Sequence, residues 1–196
     1  KALPLYDLID SDDEARYLES IFTFGDEKIR VASVYVPNGG TDKLEKHQKV
    51  NETEKFYRKI KFYERIKIHF SNAIDNNEKL IMGGDFNTCP ELRDMYSLKK
   101  DGDICCHPDE RAKLREILNL GVDDVFRTKN QDLNNVFSWW RYRPGGWEKN
   151  EGLRLDLILA TPNLLDKIDM CKIESSETRG ELKPSDHSPV VCNINI

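Results

Sequence analysis

Between Ile29 and Asn87 the hydrophobic period changes twice, which restricts the chain to a layered fold of strands and helices. IRVASVYV, from Ile29 to Val36, is rich in β-branched residues and runs into Pro37-Asn38-Gly39-Gly40, as a buried strand leaving into a loop would. From about Glu45 to Asn76 apolar residues recur at three- and four-residue steps: Phe56, Ile60, Tyr63, Ile66, Phe70 and Ile74. Lys, Arg and Glu fill the positions between, so this is one face of a long amphipathic helix. Leu80 to Met82 then form a short apolar strand before Gly83-Gly84-Asp85-Phe86-Asn87. A second helix is predicted from Pro108-Asp109, with Leu114, Ile117 and Leu118 on one face and Gly121 past its end. Leu153 to Ala160 and Val190 to Ile196 read as two further strands. Strands interleaved with helices indicate an α/β fold, in which polar motifs at strand ends carry the chemistry.

Nothing divides the chain. Its 196 residues contain no repeat, low-complexity tract or Pro/Gly/Ser linker, so 1–196 reads as a single domain. Hydrophobic residues at 38% and charged residues at 33% describe a folded globular chain, and no apolar run approaches the ~20 residues of a membrane span. A membrane partner is therefore not expected. Lys+Arg number 30 against 35 Asp+Glu, and a net charge of −5 argues against gripping nucleic acid by bulk charge alone. The run from Asp7 to Glu14 holds five carboxylates and reads as a solvated turn. Five cysteines, an odd number without framework spacing, favour a reducing, cytoplasmic setting. Cys105-Cys106-His107 invites a zinc reading, but no second spaced pair exists, so these are expected to be reduced loop residues.

Four polar clusters interrupt the strand ends. Tyr35 in VYVPNG is either a packing aromatic or a hydroxyl for a phosphate oxygen. In GGDFN, Asp85 and Asn87 point the same way if the segment stays extended, and a carboxylate beside an amide can hold a water and receive its proton. A plain turn would use the same residues. From Phe137 to Asp156, three tryptophans, a tyrosine and three arginines surround a Gly/Pro loop. Aromatic faces beside guanidinium groups suit nucleic acid, although they also suit a capped core. Leu155, Leu157 and Leu159 share one strand face, which turns Asp156 to the other, where an aspartate needs a partner. In Pro184-Ser185-Asp186-His187-Ser188-Pro189, the Asp-His pair resembles a catalytic dyad more than an isolated structural histidine.

Taken together, these carboxylates, one amide and one imidazole favour a metal-dependent phosphoesterase. No G-x-S-x-G elbow, P-loop or G-x-G-x-x-G loop is present, which disfavours acyl-transfer, triphosphate and dinucleotide enzymes.

VYVPNG, GGDFN, FSWWRYRPGGWEKNEGLRLDLILA and KPSDHSPV, in this order, resemble the exonuclease III family of AP endonucleases within the endonuclease/exonuclease/phosphatase superfamily. The similarity covers nearly the whole chain, including DDEARYLES near its start. The resemblance implies a four-layer α-β-β-α sandwich, with two mixed β-sheets packed face to face and helices outside. It implies cleavage of duplex DNA 5′ to abasic sites, with 3′-5′ exonuclease and 3′-phosphodiesterase activity, in base excision repair. Mg2+ (or Mn2+) would be the cofactor, duplex DNA with abasic sites or 3′ ends the partner, and the enzyme a nucleoid-associated monomer.

Roles follow by motif. Asp85 would activate water with Asn87 orienting it; His187, held by Asp156, would contact the scissile phosphate; Tyr35 would bind near the departing oxygen. Asp186 would lie beside the metal, with Asp85 and Asn87 as further ligands. Trp139, Leu153 and Leu155 would line the pocket for a base-less sugar, which loses little stacking when flipped. Asn38, Arg141 and Arg154 would also bind substrate, with Arg143 adding positive charge. The family's opening segment, which carries an active-site Asn and the principal metal-ligand Glu, has no counterpart here, so the chain reads as a fragment. Arg141 stands where many relatives carry Asp. Two alternatives remain: a catalytically incomplete DNA-binding fragment, and a superfamily phosphodiesterase with a non-DNA substrate.

Overall fold

The computed structural model describes residues 15–40, 49–96, 102–141, 144–175 and 185–196. The acidic run Asp7–Glu14, the start of the expected long helix, Arg143 and Pro184 lie outside the described residues. Strand β1 (Tyr17–Phe24) turns back into β2 (Glu27–Tyr35), and helix α1 (Glu54–Asp75) carries the chain to β3 (Lys79–Asp85), parallel to β2. After α2 (Pro108–Leu118) come β4 (Asp123–Asp124), α3 (Val125–Lys129), β5 (Trp139–Trp140), β6 (Gly152–Leu153) and β7 (Asp156–Ala160). The chain ends with α4 (Pro162–Leu165), β8 (Ile168–Ile173) and β9 (Val190–Ile194).

The main sheet is mixed, in the order β1-β2-β3-β7-β4. One face carries α1, whose Phe62, Tyr63, Ile66, Phe70 and Ala73 pack on Val34, Leu80, Met82, Leu157 and Leu159. Residues that alternate with these on β2, β3 and β7 face the other way. There Ile29, Ile81, Ile158 and Ala160 meet Phe126 of α3, Leu164 of α4, and Ile168 and Cys171 of β8. Each fully buried large side chain contributes about 1.5–3 kcal/mol.

The expected α/β layering holds, with one difference in the second sheet. Among the described residues, β8–β9 is a two-stranded antiparallel pair rather than a second mixed sheet.

Two sequence boundaries also move. The long helix begins at Glu54, because the Thr53 hydroxyl accepts the Phe56 N–H and caps it. The strand expected over Leu153–Ala160 is broken at Arg154-Leu155, where the Arg154 N–H leaves the ladder for the Asp94 carbonyl (2.9 Å). Strands β1 and β8 have no counterpart in the sequence reading.

Between the inner faces of β2, β3, β7 and β9 runs an open cavity of about 580 Å3, lined by Val31, Ser33, Gly83, Asp156, Ser188 and Val191 among others. Leu18, Phe22 and Phe24 of β1 are exposed.

Candidate active site

Register places the chemistry. Tyr35 is the partner of Asp85 across β2 and β3, and Asp85 is the partner of Asp156 across β3 and β7. Three adjacent strands therefore end in a row of hydroxyl, carboxyl and carboxyl on the face away from α1. The row is tight because β2 and β3 approach closely at Gly84. A Cβ there would sit 1.9 Å from the Val34 carbonyl oxygen, and φ is +146°.

Beyond β3 the backbone turns sharply, with Asn87 left-handed at φ 50°, a conformation asparagine tolerates. The turn folds Asn87 back on Asp85: its backbone N–H donates to Oδ1 (2.7 Å) and its side-chain amide to Oδ2 (3.0 Å). That amide also reaches the Val36 carbonyl, and Asn38 donates to Asn87 Oδ1 (3.0 Å). Burial first, and then the charge of Asp156, push the Asp85 carboxyl up to about 6.

His187 reaches the row from the other side. The Ser188 N–H donates to the Ser138 carbonyl (2.7 Å) and the Trp140 N–H to that of Asp186 (3.0 Å), which lays the Asp186-His187 segment along β5. His187 Nδ1 then lies 2.9 Å from Asp156 Oδ2. An ionised carboxylate only accepts, so Nδ1 carries the proton and Nε2 is left for another partner. Burial opposes the imidazolium, but the Asp156 hydrogen bond and the charges of Asp156, Asp85 and Asp186 outweigh it and raise the His187 pKa. The Trp139 indole N–H donates to Asp186 Oδ2 (2.9 Å).

The structure thus brings Tyr35, Asp85, Asn87, Asp156, Asp186 and His187 to one end of the sheet, and Asn38 joins them through Asn87. Trp139 is half-buried at its edge. Leu153 and Leu155 are buried beneath it, in a cluster with Cys89, Cys105 and Cys106, so they form its support rather than an open wall. Arg141 is exposed and lies 3.4 Å from the Tyr96 hydroxyl.

Arg154 requires correction as a substrate ligand. It is fully buried, and its guanidinium spans Asp94 (2.8 and 3.0 Å) and Asp124 (3.1 and 2.8 Å), so it offers no charge at the surface. The cysteines are free, and Cys105 and Cys106 lie in the loop before α2, where with Cys89 they are buried in a small core.

The supporting residues were not foreseen. The Ser138 hydroxyl accepts the N–H groups of Leu155 and Asp156 (3.0 and 2.9 Å), fixing the start of β7. The Tyr63 hydroxyl donates to the Phe86 carbonyl (2.8 Å). Lys59 lies three residues after Phe56 in the apolar period of α1 and is buried there; that spacing is the one sequence signal for it.

Oxygen donors dominate the cluster. Among the described residues no three His, Cys, Asp or Glu side chains converge as a metal cage. Mg2+ commonly takes only one or two carboxylates and completes its shell with water and substrate phosphate, so Asp85, Asn87 and Asp186 fit it in donor type.

Residues 4–187 match the Endonuclease/Exonuclease/phosphatase family. The chain is 30% identical over 169 residues to exodeoxyribonuclease III of Haemophilus influenzae, covering 83% of this chain and 60% of that protein. It is 27% identical to an exodeoxyribonuclease of Bacillus subtilis, covering 90% and 64% respectively. This chain therefore spans less than two thirds of the length of either relative. Among solved structures, a 3′-5′ exonuclease from Neisseria meningitidis superposes with a TM-score of 0.81 at 26% identity, covering 96% of this chain and 68% of that one. An AP endonuclease from Archaeoglobus fulgidus gives a TM-score of 0.71 at 31% identity, covering 86% and 62%.

Proposed function

Because the chain belongs to the Endonuclease/Exonuclease/phosphatase family, we propose that it acts as a DNA-repair nuclease that hydrolyses the phosphodiester 5′ to abasic sites and trims 3′ ends. The observation that carries this reading is the His187–Asp156 hydrogen bond (2.9 Å) set beside Asp85 and Asn87 at the end of one sheet. Asp85, with a carboxyl near neutrality, takes the proton of the attacking water while the Asn87 amide orients it. The His187 imidazolium, aligned by Asp156, neutralises charge on the scissile phosphate. The Tyr35 hydroxyl binds the phosphate near the departing oxygen. A divalent cation, Mg2+ or Mn2+, when held by Asp186, Asp85 and Asn87, supplies further charge neutralisation at phosphate. Trp139 offers an aromatic face to the flipped sugar, backed by Leu153 and Leu155, and Arg141 meets the backbone. The names of the relatives support this substrate class, since they are exodeoxyribonucleases and AP endonucleases.

The test is a duplex with a single abasic site, incubated with the protein and MgCl2. A nick immediately 5′ to the site, abolished by EDTA, is the expected result. An intact duplex, or nicking indifferent to EDTA, overturns it.

A further inference from the structure

Behind the strand-end row, on the opposite face of the sheet, a charged pair lies where the period of α1 calls for an apolar residue. Lys59 and Glu110 are both fully buried. The Lys59 ammonium has three hydrogens and three acceptors: Glu110 Oε1 (2.7 Å), the Asn87 carbonyl (2.5 Å) and the Asn38 carbonyl (3.2 Å). The two carbonyls come from the turns that follow β3 and β2. Each belongs to an asparagine whose side chain enters the site, and the two amides bond each other. Glu110 is fixed in turn, because its Oε2 accepts the His107 N–H at the start of α2. Even the glycine loop conforms to this lysine. At Gly39, with φ +78°, an added Cβ would lie 2.7 Å from Lys59 Cδ.

Burying an ion pair among apolar neighbours is costly, and a well-packed apolar pair in its place is often neutral or stabilising. Packing alone therefore does not explain it. What an ammonium does here and a methyl group cannot is to hold two turned-out main-chain carbonyls at once. Asn87 is left-handed, so its carbonyl has left the sheet ladder.

We propose that Lys59 is a positioning residue: neutralised by Glu110, it anchors the main chain at Asn38 and Asn87 and so sets the direction of both site amides. The role in turnover rests on the nuclease reading above; the anchoring does not.

The test compares the wild type with Lys59→Met and with the double variant Lys59→Met/Glu110→Gln. The double variant removes both charges and keeps an acceptor for the His107 N–H. Four quantities are read: thermal unfolding, duplex affinity, single-turnover nicking, and hydrogen exchange of the Asn87 side-chain amide. Lys59→Met is expected to lower nicking about tenfold to a hundredfold, the scale of a small misplacement, with affinity preserved. Exchange at Asn87 should accelerate by a similar factor. The double variant should recover the unfolding temperature without recovering rate or protection. If rate and protection return together with stability, or if the folded Lys59→Met protein retains both, the proposal is overturned. A wild type that does not nick abasic duplex refutes the nuclease reading. The exchange comparison then decides the positioning role alone, and unchanged protection in the variants rejects it.

Discussion

Asp156 and Asp94 each hold a cationic side chain at nearly the same distance: 2.9 Å to His187 in one case and 2.8 Å to Arg154 in the other. The Asp156 side chain is 18% exposed and that of His187 33%, whereas Asp94 and Arg154 are sealed at 0%. Asp94 is also saturated. Arg154 takes both of its oxygens, Arg127 a further bond (2.7 Å), and the Glu91 N–H another (3.1 Å). Nothing is left there for a ligand. The open pair sits at strand ends above a cavity, and the closed one ties the loop carrying Asp94 to the break between β6 and β7. Opening to solvent, rather than residue type, separates the side chains placed for chemistry from those placed for support.

The sharpest way to break that comparison is to remove one group from each half. Asp85→Asn keeps the shape of the open site and removes the base. Nicking should fall by about 10²–10⁴-fold, the usual worth of a positioned base. Thermal stability should hold or rise, since burial already disfavours the Asp85 charge. A variant that loses stability in proportion to activity would place Asp85 with the scaffold. Arg154→Met should do the reverse. It leaves Asp94 and Asp124 buried without their partner, at a cost of about 3–5 kcal/mol in urea unfolding. The rate constant of the protein that remains folded should change little. A selective loss of rate with unchanged unfolding would restore Arg154 to the substrate-binding set.

The halves also differ in how legible they were. The open half announced itself, because Asp85, Asn87, Asp156 and His187 stand in short motifs at strand ends, where polar residues have few structural excuses. The closed half did not. Arg154 lies one residue from Leu153 and two from Asp156, inside an aromatic and basic loop, and nothing local says that its partners are Asp94 and Asp124. Both lie at least 30 residues away and meet it only through the fold. Strand β1 was missed for a related reason. Leu18, Ile21, Phe22 and Phe24 do not alternate cleanly with polar residues, and they remain exposed. By contrast, α1 was readable from its period alone, apart from its start at the Thr53 cap and the lysine within its apolar face.

A smaller effect is expected where the two halves touch. Trp139 belongs to the aromatic loop but donates its indole N–H to Asp186. Trp139→Phe keeps the aromatic face and deletes that bond, worth about 1.5–3 kcal/mol for a charged acceptor. On the proposed reading, the variant needs more Mg2+ for half-maximal nicking, measured by metal titration at fixed duplex. An unchanged Mg2+ requirement would separate Asp186 from the cation.

The mildest perturbation is pH, through Asp85 and His187 of the open half. Asp85 has its pKa raised to about 6, first by burial and second by the charge of Asp156. Folding thus tightens its hold on the proton. In metal-free protein its contribution to stability is complete below the ordinary carboxylate range and is lost as pH climbs through about 6. Turnover runs the other way, because the base must be ionised: below about 6 the rate should rise by about tenfold per pH unit. His187 supplies the alkaline limb. Its raised pKa means that the stabilising imidazolium is present below the ordinary histidine range and is lost as pH passes the raised value. Asp156→Asn removes a common cause of both shifts, so both limbs of the pH–rate profile should move to lower pH together. An acid limb that stays near 6 in that variant would mean that burial alone sets Asp85, and that the two carboxyls, although register partners, do not sense each other.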